Sequence, residues 1–380
     1  MTGCGRMRAR VALVTAMAGL LLAGCQVSVT GSAGVSAADQ QKADRRAEQR
    51  DAVETALKTF ADQPIAVYHG TAKDSAGAPV DLTLRVTKAG TSLGTLLLDN
   101  QGAQLVIADG KLYLSAGAGY WKSRGIKQEL GDLYAKGWAK AEASELPVNP
   151  ATLLVPAKAA EKIRATLSTV DQLAEPVRTK LPDGTEVFDI KTPTGSLQVS
   201  TAKPNRLVSV AAAAIDPAAA GALGTQLTID PAAPDVAKKF HDDLNAKLDA
   251  FGQPADSVAQ ASAAIADHKF DCNSGNASCT TTVTVANVLV GGDSSGSQVH
   301  LVLTVQVTAE GLAGQNCSAE ATAAPNTSST MACTVKFNLP NRTANYKVLS
   351  QPSATADVRA AIDFPALKGK LDTEFKAIGG

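Results

Sequence analysis

At 380 residues the chain has room for two folded domains behind a short leader. Its 36 Lys and Arg balance 36 Asp and Glu, and aromatics are only 4 %, so neither the basic surplus nor the stacking rings of a nucleic-acid binder are present. Hydrophobic residues reach 45 %, which predicts a core built from Ala, Val and Leu rather than from large rings.

The chain opens on Arg6, Arg8 and Arg10, runs through the apolar residues 11–22 and reaches Leu22-Ala23-Gly24-Cys25. The arginines hold the leader on the cytoplasmic side, and the apolar run is too short to span a bilayer. Small residues before Cys25 let the backbone enter a peptidase cleft. The motif resembles the lipobox of bacterial lipoproteins. It implies a signal peptide over 1–24, acylation of Cys25, and attachment to the extracytoplasmic face of the cell membrane through two or more acyl chains. Met7 serves as an alternative start. With the leader removed the mature chain becomes slightly acidic. Residues 25–50 are expected to carry the acylated cysteine and a flexible tether, aperiodic and Ser/Gly/Ala-rich to about 38. Helical character sets in within the charged stretch 39–51, and Val53, Ala56, Leu57 and Phe60 then fall at i, i+3, i+4, i+7 before Gln63-Pro64 stops the helix.

Short strands follow. Val80, Leu82, Leu84 and Val86 share one face and Asp81, Thr83, Arg85 and Thr87 the other, the pattern of a half-buried antiparallel strand. Residues 93–98, then Ala103, Leu105 and Ile107, then Leu112 and Leu114 continue the meander, with Asp109-Gly110 as a tight turn. Between 126 and 170 the spacing of Leu130, Leu133, Tyr134, Trp138, Ile163 and Leu167 is helical, and strands resume at 187–190, 197–199 and 207–212 after Pro182-Asp183-Gly184.

Pro231 and Pro234 suggest a boundary, giving domains over 51–233 and 234–380. The second begins with an amphipathic helix carrying Val236, Phe240, Leu244, Leu248 and Phe251. Strands at 281–290, 299–308, 317–323 and 332–339 follow, and a last helix over 364–378 closes the chain. Segregated helices and antiparallel strands make both domains α+β, with a β-sandwich as the alternative for the second. Four cysteines remain after Cys4 and Cys25 are set aside, and four allow three pairings. Loop closure favours Cys272 with Cys279 and Cys317 with Cys333. Their spacing and an oxidising compartment argue against zinc.

The segment Gly110-Lys111-Leu112-Tyr113-Leu114, with Tyr120-Trp121 and the helical insert behind it, resembles the actinobacterial LppX/LprG lipoproteins over about residues 51–217. That resemblance implies a LolA-like fold, a half-barrel in which a curved antiparallel sheet wraps helices around an apolar cavity that carries lipids or lipidated glycans. The second domain lies outside it and is open to an envelope protein or glycan partner. The candidate cavity lining is Leu82, Leu84, Val86, Leu105, Ile107, Leu112 and Leu114, with Leu133 and Trp138 as a lid. The same residues also suit a close-packed core, and then both domains would be interaction or adhesion modules.

Nothing in the sequence demands catalysis, a cofactor or a metal. Gly292-Asp293-Ser294-Ser295-Gly296 matches G-x-S-x-G, with His300 nearby, but strands are expected on both sides where an elbow needs a helix, so a hairpin loop is expected. His241-Asp242-Asp243, and His268 with Asp271, read as solvated polar positions rather than ligands.

Overall fold

The computed structural model describes residues 36–169, 177–231, 233–291, 296–339 and 345–379. Helix α1 (Ala37–Ala61) begins inside the span expected to be tether, because Ala, Gln, Glu, Lys and Arg dominate that stretch and are strong helix formers. The tether as bounded at residue 50 is therefore too long. Strands β1 (Ile65–Lys73), β2 (Pro79–Thr87), β3 (Ser92–Leu98), β4 (Gln101–Ala108) and β5 (Lys111–Ala116) form the expected antiparallel meander. Two of its turns are two-residue loops with positive φ at both positions, Asp99-Asn100 and Asp109-Gly110.

Next come α2 (Ala118–Ser123), α3 (Gln128–Tyr134), the short β6 (Ala139–Ala141), α4 (Pro150–Leu153) and α5 (Pro156–Ser168). Strands β7 (Val177–Lys180), β8 (Glu186–Thr192), β9 (Gly195–Ser200) and β10 (Leu207–Ala211) follow, then α6 (Pro217–Leu223) and β11 (Gln226–Ile229). The rest of the chain gives α7 (Val236–Asp249), β12 (Ala255–Asp256), β13 (Gln260–Asn273), β14 (Ser278–Val290), β15 (Ser297–Ala309), β16 (Gln315–Ala323), β17 (Ser328–Lys336), β18 (Val348–Ala360) and α8 (Phe364–Ala377). Proline sits in the first turn of α4, α5, α6 and α8, where its missing N–H costs no helical bond.

The protein is α+β. Fifteen strands make one mixed sheet in the order β16-β15-β18-β12-β6-β5-β4-β3-β2-β1-β11-β10-β9-β8-β7, with β6 and β12 as its parallel pair. A second sheet has the order β13-β14-β17. On one face of the large sheet, α1, α5 and α6 bury the inward residues of β1 to β6 and β8 to β11 in a continuous core. Gly70 on β1 makes room for this layer, since a Cβ there would come within 1.9 Å of the Leu223 carbonyl oxygen at the end of α6.

The other face is covered too. Val106, Ala108 and Tyr113 point away from the first core and pack with Phe240, Leu244 and Leu248 of α7 and Leu367, Leu371 and Phe375 of α8. Ion pairs and hydrogen bonds fix the layer: Arg85 to Asp243 at 2.7 Å, Lys370 to Asp109 at 2.7 Å, and Thr87 and Thr91 donating to Glu374 at 2.5 and 2.8 Å. The chain after Pro234 thus returns to the first sheet. A division near 231–234 does not separate two cores, and residues 44–380 form one compact unit. The signal was in the strands themselves, because Leu105-Val106-Ile107-Ala108 is apolar without alternation and such a strand must be buried on both faces.

Beyond β12 the chain builds a two-sheet sandwich, with β13, β14 and β17 packed over β18, β15 and β16. Strands β14 and β15 therefore belong to different sheets, and the connection between them is not the expected hairpin. Strands β13 and β18, which composition did not reveal, pair at 13 positions each, β13 with β14 and β18 with β15, with small side chains such as Ala261, Ala263, Ala354 and Ala356 turned inward. Both favoured disulfides are present: Cys272–Cys279 bridges partner positions of β13 and β14, and Cys317–Cys333 links β16 to β17 across the two sheets. The second closes 16 residues of chain between elements that share no ladder. Cys317→Ser should cost about 3 kcal/mol in urea unfolding, and Cys272→Ser less, because its hairpin already closes that loop.

Candidate functional site

The inner layer is built by alternation. On β2, Leu84 and Val86 are fully buried between β1 and β3, and on β4 and β5 the residues Leu105, Ile107, Leu112 and Leu114 join them in the same core. Leu82 is equally buried but stands outside that contiguous cluster. Leu133 on α3 is partly buried against it. Trp138 is not a lid. It lies on the opposite face of the sheet, with its ring 4.6 Å from that of Phe251, because the residues after α3 turn into β6 instead of continuing a helix. Sequence reasoning missed Trp121 and Tyr134 as inner-layer residues. Their rings meet edge-on at 5.3 Å, and Trp121 donates to the Ala116 carbonyl at 3.2 Å.

Small side chains face the sheet from the helices: Ala52 and Ala56 on α1, Ala159 and Ala160 on α5, Ala219 and Ala222 on α6. Helix α1 crosses this layer with Phe60 edge-on to Tyr68 of β1, Glu54 bonded to Arg164 of α5 at 3.2 Å, and Glu48 to Arg178 of β7 at 2.9 Å. The Tyr68 hydroxyl donates to the Leu154 carbonyl at 2.7 Å, and burial pushes its pKa far up. It stays a neutral donor. A groove of about 470 Å³ lies where β3 ends, lined by Leu98, Tyr120 and Leu146 of the inner core, by Pro147, Ala218 and Gly221, and by the polar Asp99, Asn100, Arg124 and Ser144.

His241 lies between α7 and α8, bonded to Asp372 at 2.8 Å and stacked on Phe375, so it is less solvated than expected, while Asp242 and Asp243 pair with Lys238 and Arg85. His268 and Asp271 stand three apart on β13 and so face opposite sides. His300 bridges Asp357 at 2.9 Å and Glu320 at 3.3 Å. Ser294 and Cys25 lie outside the described residues. On the outward face of β1 and β2, His69 contacts Thr83 Oγ1 at 3.1 Å and Asp230 at 2.8 Å in an exposed groove. Among the described residues no group of three or more His, Cys, Asp or Glu could hold a metal ion, and no helix is long and apolar enough to cross a membrane.

No protein-family profile matches the chain, and no curated protein matches its sequence.

Proposed function

We propose that this is a membrane-anchored lipoprotein of the cell envelope that binds or carries a lipid or another long apolar ligand, without catalysis, between α1, α5, α6 and the large sheet, read as a LolA-like half-barrel. The groove at Leu98, Tyr120 and Leu146 carries this reading, because it brings side chains of the mainly apolar inner layer to the surface beside the polar Asp99, Asn100, Arg124 and Ser144. Its volume, about 470 Å³, falls in the usual range for small-ligand pockets.

The test is lipid extraction and native mass spectrometry of the full chain beside Leu84→Trp. A ligand-holding layer yields co-purified lipid in the wild type and less in the variant, with the melting temperature nearly unchanged. A close-packed layer yields no lipid, and the tryptophan overpacks it at a cost of about 1 to 3 kcal/mol. That second outcome selects an interaction or adhesion module, the reading favoured by Val288 and Val290, which stand 52 % and 65 % exposed at the end of β14.

A further inference from the structure

One end of the two-sheet sandwich holds a cavity of about 390 Å³ that shares no lining residue with the groove at Leu98. Its walls are the hairpin turn between β13 and β14, the turn after β15 at Leu312, the residues that follow β17, and the chain that enters β18 at Asn345 and Tyr346. Its buried lining is Cys279, Ala309 and Phe337, all three of them members of the sandwich core. These walls are tied to one another. The Cys272–Cys279 disulfide staples the hairpin at the cavity edge, the Phe337 N–H donates to the Ala277 carbonyl at 2.9 Å, and the Glu310 N–H donates to the Lys347 carbonyl at 3.2 Å. Among the described residues none that lines the cavity is charged; apart from Tyr346 the polar ones are Asn273, Ser274, Ser278 and Asn345, each at least partly exposed. Tyr346 is half-buried as a residue, yet its hydroxyl is fully buried and makes no hydrogen bond among the described residues. A buried hydroxyl without a partner is costly, and one in a cavity wall is placed to meet a group that enters.

We propose that this end of the sandwich is a second ligand site, for a small uncharged aromatic molecule bearing one hydrogen-bond acceptor such as a carbonyl. Size sets the first limit, since about 390 Å³ lies near the lower end of the range for small-ligand pockets. It suits a single ring system. The Phe337 and Tyr346 rings and the disulfide sulfurs favour an aromatic ring over an aliphatic one of the same size, because rings attract one another face to edge and sulfur is polarisable. An ion would lose its water here without meeting a counter-charge, so the ligand is neutral. Tyr346 fixes its orientation by donating its O–H to the acceptor, the kind of single polar contact that gives an apolar pocket its specificity. The site stands apart from the lipid-binding reading, because none of its lining residues belongs to the core beneath α1, α5 and α6.

The experiment titrates the full chain, isotope-labelled at its Leu and Val methyl groups, with acetophenone, with ethylbenzene as the isostere that lacks the carbonyl, with cyclohexyl methyl ketone and with benzoate. Acetophenone should bind saturably and shift the methyl signals of Leu312, Leu339 and Val348, leaving those of Leu84 and Leu114 in the inner layer unmoved. Ethylbenzene should bind about fivefold more weakly, the equivalent of about 1 kcal/mol for one neutral hydrogen bond. The aliphatic ketone should also bind more weakly, and benzoate should not bind. Tyr346→Phe should make acetophenone and ethylbenzene equal, with a melting temperature no lower than the wild type's, because the hydroxyl gives up no bond. No saturable shift at Leu312, Leu339 and Val348 with any probe up to its solubility overturns the site. Benzoate or the aliphatic ketone binding as tightly as acetophenone overturns the ligand class, and a carbonyl preference that survives Tyr346→Phe overturns the role of the hydroxyl. Tighter binding of N-acetylphenylalanine amide than of acetophenone assigns the cavity to a partner protein's side chain and overturns the small-molecule reading.

Discussion

Cys25→Ala should move the protein from the membrane fraction to the soluble fraction almost completely. Stable anchoring takes two acyl chains, each buried CH₂ adding about 0.8 kcal/mol, whereas one myristoyl-length chain binds only marginally. No helix among the described residues is long and apolar enough to cross a membrane. On the proposed acyl anchor, removing the thiol removes the attachment rather than weakening it. Fractionation reads the loss, and intact-mass analysis of the membrane-extracted wild type should give a chain that starts at Cys25 and carries the mass of its acyl groups. A mature N-terminus elsewhere would rule the anchor out.

Phe240→Ala should destabilise the first sheet by about 3 to 5 kcal/mol, the usual cost of removing a buried phenylalanine. Phe240 is fully buried between β-strands and α8, with the Phe375 ring edge-on at 5.2 Å and the Arg85 guanidinium 5.1 Å from its own ring centre. Arg85 belongs to β2, so the cavity left behind opens on the back of the strand whose front carries Leu84 and Val86. Near-ultraviolet circular dichroism should find the signal of the inner-layer aromatics, Trp121 and Tyr68, melting at the lowered midpoint together with the rest of the chain. If that signal kept its wild-type midpoint, α7 would be an appendage and the chain would divide near 231–234 after all.

These effects follow from what the sequence encodes locally and what it leaves to distant contacts. Alternation in β2, the positive-φ turn at Asp109-Gly110, the amphipathic stripes of α7 and α8, and the two short-range cysteine pairs were all legible, because each rests on neighbours within a turn, a strand or a closed loop. The inward residues Leu84, Val86, Leu105, Ile107, Leu112 and Leu114 were legible for the same reason. Trp138 was not, since helical spacing continues up to it while the backbone has already turned toward β6, and the face it meets is chosen by Phe251 more than a hundred residues later. Strands β13 and β18 gave little signal because alanines such as Ala261, Ala263, Ala354 and Ala356 alternate with other small residues along much of their length, and their burial shows only once the opposing sheet is present. Which sheet β14 and β15 each join, and which elements cover the back of β4 and β5, are decided by long-range pairing. So is the burial of Gln49, whose Oε1 meets no donor among the described residues. On a linear reading it is one more good helix former in a charged run, and only the packed inner layer strips it of water.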